Sequence, residues 1–117
     1  MKVVIDFKKI DKIEGRKAKP SKYFNHIKSK YQDIKTVIAD TKDENLLQVK
    51  EALPEISFSI KDMKLSFDDD IIPLLENVAS NFDDVRYTWL QNLASQLKVC
   101  KASAGLGGTR TSKSLRW

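Results

Sequence analysis

The sequence predicts an α+β fold, mostly helical, with about four helices packed on a small antiparallel sheet in the order β-α-α-β-β-α-α. Three observations carry this expectation. Apolar residues recur at helical spacing over 21–38 and again over 82–100. Between them, two five-residue stretches alternate strictly between apolar and polar. A short β-branched run opens the chain.

That opening run, Val3-Val4-Ile5-Asp6-Phe7, reads as a first strand. Residues 8–22 have no periodicity, contain Gly15 and Pro20, and carry seven Lys or Arg. They read as a basic loop or arm. A helix follows from about Ser21, with Tyr23, Phe24, Ile27, Tyr31, Ile34, Val37 and Ile38 on one stripe and Asn25, Ser29, Gln32 and Thr36 opposite. Asp40-Thr41 interrupts it. Thr41 with Glu44 three residues later has the spacing of a capping box, so a second helix is expected to carry Leu46, Leu47, Val49 and Leu53 and to stop before Pro54.

Ile56-Ser57-Phe58-Ser59-Ile60 and Met63-Lys64-Leu65-Ser66-Phe67 then alternate with period two, the pattern of half-buried strands. Lys61-Asp62 would join them as a two-residue turn, although it lacks the glycine or asparagine such turns favour. A single helix over 55–67 also fits, because Ile56, Ile60, Met63 and Phe67 recur at helical spacing. Asp68-Asp69-Asp70 open a third helix with Ile71, Ile72, Leu74, Leu75 and Val78 inside. Pro73 is tolerated in its first turn, where the amide has no intrahelical partner. In the fourth helix Asn81 is the expected cap, Asp83 and Asp84 occupy the first turn, and Lys98 and Lys101 the last. Its stripe is Phe82, Val85, Trp89, Leu90, Leu93, Leu97 and Cys100. Gly105, Gly107 and Gly108 end the pattern. The organisation expected is one globular domain over 1–103 and a flexible basic tail over 104–117.

A chain of 117 residues has room for one core, and 41% hydrophobic with 32% charged residues is the composition of a globular protein. The lone thiol, Cys100, excludes an intrachain disulfide. One cysteine with one histidine cannot supply a four-ligand Cys/His zinc site. No apolar run approaches the length that spans a bilayer, and no export signal is evident, so an intracellular protein without membrane contact is expected. Charge is unevenly placed within the net +5. Residues 1–35 hold eleven Lys or Arg against four acids, 36–95 hold five against twelve, and 96–117 hold five against none. Basic ends flanking an acidic middle suit binding to a polyanion, or pairing between the ends and the middle of neighbouring copies.

Candidate chemistry is sparse. Cys100 with His26 has the residue types of a nucleophile and base, but Cys100 falls on a buried stripe, where an inert thiol is the expectation. In the hairpin register implied above, Glu55 faces Asp68, which would gather Glu55, Asp68, Asp69 and Asp70 at the hairpin mouth as hard-cation ligands. Helix capping explains the same aspartates more simply. The glycines at 105–108 follow a helix instead of leading into one, so they make a hinge and not a phosphate loop.

The basic termini are the strongest lead. Lys8, Lys9, Lys12, Arg16, Lys17 and Lys19 stand in the arm, and Arg110, Lys113, Arg116 and Trp117 in the tail. Cations interleaved with hydroxyls and an indole suit either phosphate and base contacts or docking into an apolar groove with an acidic rim. The function expected is non-enzymatic binding and assembly. The protein would be a subunit of a multi-copy complex, such as a virion, whose arm and tail engage other subunits, copies of itself included. Nonspecific nucleic-acid binding by the same residues is the alternative, and a metal-dependent enzyme at the hairpin mouth a distant third. No cofactor is called for.

Overall fold

The computed structural model describes residues 2–105. The elements are β1 (Lys2–Asp6), α1 (Pro20–Ile38), α2 (Glu44–Ala52), β2 (Ser57–Ser59), β3 (Lys64–Asp68), α3 (Ile71–Ala79) and α4 (Val85–Ser103), the order the sequence implied. The sheet runs β1-β3-β2 with both pairs antiparallel. β3 is central, and its Leu65 and Phe67 are completely buried.

Alternation gives the sheet one apolar face, because successive side chains point to opposite sides. Val3 lies opposite Phe67, and Leu65 lies opposite Ile5 on one side and Phe58 on the other. Val4, on the other face, is 53% exposed. The helices cover the apolar face. Phe24 of α1 packs edge-on against Phe7 at 5.1 Å and Phe58 at 5.7 Å, with Tyr31 5.2 Å from Phe58. The buried Tyr31 hydroxyl donates to the Leu53 carbonyl at 2.6 Å, so α1 is tied to the α2–β2 connection without stranding a polar group.

The structure departs from expectation mainly at the element ends. The hairpin has the predicted register, but its last paired residues are Ser59 and Lys64, leaving a four-residue turn over 60–63. Met63 there adopts φ 52°. Without a glycine at Lys61-Asp62, a two-residue turn would need two left-handed residues, whereas the longer turn places only one there. Its shape is supported by Phe7 N donating to the Met63 carbonyl at 2.9 Å.

Asp43, not Thr41, caps α2, its Oδ1 accepting from Asn45 N at 2.9 Å. Thr41 Oγ1 accepts from Asp43 N at 3.2 Å, so it shapes the turn before the cap. Asn81 does not cap α4. Asn81 N and Phe82 N donate to the Val78 and Ala79 carbonyls, which prolongs the end of α3 and seats Phe82 in the core. Asp84 is the cap, with Oδ1 accepting from Arg86 N at 2.9 Å. Val37, Leu47 and Val85 stand at the margins of their stripes and are 52%, 43% and 53% exposed.

Candidate functional site

The segment read as a basic arm is pinned at its centre. Ile10 and Ile13 are buried, Glu14 N donates to Ser103 Oγ at 2.8 Å, and Gly15, at φ 68°, turns the chain toward α1. Burying two isoleucines from a charged loop is favourable by about 1.5–3 kcal/mol each, enough to hold the backbone while the lysines stay in water. Lys8, Lys9, Lys12, Arg16, Lys17 and Lys19 are all exposed, and none forms an ion pair among the described residues. Arg110, Lys113, Arg116 and Trp117 lie outside the described residues. Gly105, the last described residue, lies two residues beyond Ser103, whose hydroxyl meets the arm at Glu14.

The other end of the same helices is acidic. α1 and α4, each 19 residues, run antiparallel, so the start of α1 meets the end of α4 and the end of α1 meets the start of α4. Each helix is about 28 Å long at 1.5 Å per residue. At the far end Arg86 binds Asp84 at 2.7 Å and Asp43 at 3.1 Å while its guanidinium lies 4.1 Å from the Phe82 ring centre. The Arg86 contacts hold the Asp84 carboxyl below the usual carboxylate range, and Asp84 in turn raises Arg86. Asp40, Glu44 and Asp83 stand exposed nearby in sequence. The aspartate at the start of α4 also complements the helix dipole.

The predicted carboxylate cluster does not form. Glu55 sits in a 3-10 turn over Leu53–Glu55, because the ladder ends at Ser57 opposite Ser66, and Asp68 instead faces Lys2 across β1. Asp68 Oδ1 accepts from Asp70 N at 3.0 Å, a bond that lowers the Asp68 carboxyl from its ordinary value. Asp69 accepts from Lys101 Nζ at 2.6 Å. Among the described residues no group of three or more His, Cys, Asp or Glu could hold a metal ion. These aspartates shape the start of α3 and tie it to α4.

Cys100 is fully buried, and desolvation pushes its thiol up to about 12, the opposite of an activated nucleophile. His26 is exposed, its ring 6.3 Å from that of Tyr23.

One feature was not legible in the sequence. A groove of about 270 Å³ runs between α1 and α4, walled by Ile34, Val37, Trp89 and Leu93, with Lys30, Asp33, Asn92 and Gln96 as its polar groups. Gln96 Oε1 is buried and accepts no hydrogen bond among the described residues. The available signal was the presence of Val37 and Trp89 on stripes too wide for one helix to cover, but only helix pairing shows that they share a wall.

No described helix is long and apolar enough to cross a membrane. No protein-family model, curated protein or solved structure matches the chain.

Proposed function

We propose that the protein is a non-enzymatic assembly subunit whose copies meet end to end, the basic end of one against the acidic end of the next. One observation carries this reading. The long helices separate a cluster of uncompensated cations from an end rich in aspartate, about 28 Å apart. Opposite charges at opposite ends favour a head-to-tail contact, which closes into a ring or extends as a filament according to the rotation between copies.

Nonspecific nucleic-acid binding is the second reading, favoured by the same exposed cations without ion-pair partners. Light scattering of the full chain across a concentration series, at low and high salt, separates the two. Assembly gives a mass that rises with concentration and falls with salt. A mass that stays monomeric at low salt, with salt-sensitive binding of labelled oligonucleotides, replaces assembly with the nucleic-acid role.

A further inference from the structure

We infer that the groove between α1 and α4 receives residues 106–117 of a second copy, with Leu115 and Trp117 seated against Val37 and Trp89. This rests on the end-to-end reading above and names the latch that makes it specific.

Position is the first argument. α1 ends one residue after Val37, and α4 begins four residues before Trp89, so the groove opens toward the acidic end, where the neighbour's basic end arrives. Reach is the second. Residues 106–117 span up to about 40 Å when extended, more than the length of α1 or α4. Starting from Gly105 beside one copy's basic arm, they extend across an end-to-end contact and into the next copy's groove.

Chemistry is the third. The segment carries Arg110, Lys113 and Arg116 and no acid, and Arg116 stands between Leu115 and Trp117. The groove presents Lys30 and Asp33 beside its apolar walls, and Asp43 and Asp84, which do not line it, are bridged to Arg86. In an extended segment Leu115 and Trp117 point to one side, toward the apolar walls, and Arg116 points to the other.

The test cross-links full chains. Val37→Cys is introduced in one tagged population and Leu115→Cys in another, the two are mixed, and a short bismaleimide is added. Cys100 is buried and stays unreactive. The expected result is a mixed covalent dimer, strongly reduced when Val4→Cys on the sheet's open face replaces Val37→Cys. Equal yields at the two positions, or no mixed product, overturn the proposal. Linkage confined to single chains when both cysteines are in one molecule shows that the chain's own segment fills the groove, and overturns the second-copy assignment.

A functional arm uses Val37→Glu and Trp117→Ala. Neither removes a buried core contact among the described residues, and each is expected to weaken association by about tenfold or more, as loss of a buried anchor does. Salt-sensitive association that both variants leave unchanged overturns the groove and leaves end-to-end assembly standing. A full chain that is monomeric at every concentration removes both.

Discussion

The two ends of the α1/α4 pair are built differently. At the acidic end, charge is part of the architecture. Asp84 caps α4, Asp43 caps α2, and Arg86 bridges both while lying over Phe82. At the basic end, Ile10, Ile13, Tyr23 and Cys100 are buried beneath the arm cations, and the charged tie there, Lys101 to Asp69, joins α4 to the start of α3 without engaging the arm. The six arm cations Lys8, Lys9, Lys12, Arg16, Lys17 and Lys19 enter no ion pair among the described residues. Charges engaged in caps and bridges have a structural reason to be present. The arm cations without such bridges are the groups on which the proposed assembly rests.

The largest expected effect lies beneath the basic end. The Cys100 thiol, raised by burial from its ordinary value of 9.0 to about 12, is neutral in the fold at pH values where the unfolded chain ionises it. The folded value is the higher, so this group costs no stability below pH 9 and destabilises progressively as pH rises from 9 toward 12. The loss reaches roughly 4 kcal/mol at pH 12. Burial raises the Tyr23 and Tyr31 phenols as well, so their contribution has the same sign above pH 10. Urea titrations of the wild type and Cys100→Ala over this range should show a shallower alkaline decline in the variant. Equal slopes would mean that the thiol is not desolvated.

Next comes the arm's anchor. Ile13→Ala should lower stability by about 2–5 kcal/mol through the cavity left at a fully buried site, read by chemical denaturation. A smaller loss would mean that the arm is attached elsewhere.

At the acidic end, Arg86→Ala should lower the thermal midpoint by less than Ile13→Ala, and high salt should narrow the gap from wild type, because exposed pairs are screened. Acid should act at the same place. Asp84 has a lowered folded pKa, so its contribution is present above the ordinary carboxylate range and lost as pH falls through the folded value.

The smallest structural effect belongs to the surface lysines. Lys12→Ala and Lys17→Ala together should move stability by no more than about 0.5 kcal/mol while measurably weakening association in light scattering. A large stability change would show that these cations have partners in the fold after all.

The candidate site was only partly legible in the sequence. Lys8, Lys9, Lys12, Arg16, Lys17 and Lys19 could be named as exposed cations because charged side chains avoid burial. That Ile10 and Ile13 anchor them was not, since two apolar residues in an aperiodic loop have no period to betray them. Glu55, Asp68, Asp69 and Asp70 illustrate the opposite error. The hairpin register was read correctly, yet Pro54-Glu55 turned away before reaching it, and β1 took the place opposite Asp68. Caps shifted from Thr41 to Asp43 and from Asn81 to Asp84 because several neighbouring side chains can each accept from a free amide, and only the exit of the preceding element selects one.

By itself the sequence indicated the element types and their order, except over 55–67, where a hairpin and a single helix both fitted the pattern. These depend on periods of 3.6 and 2 that each segment carries locally. Tertiary structure alone decided that β1 pairs with β3, that α1 and α4 lie antiparallel with opposite charges at their ends, and that Val37 and Trp89 share a groove. Those are relations between residues far apart in the chain. They are set by how apolar faces of different elements fit together, a contest that no single segment's pattern records.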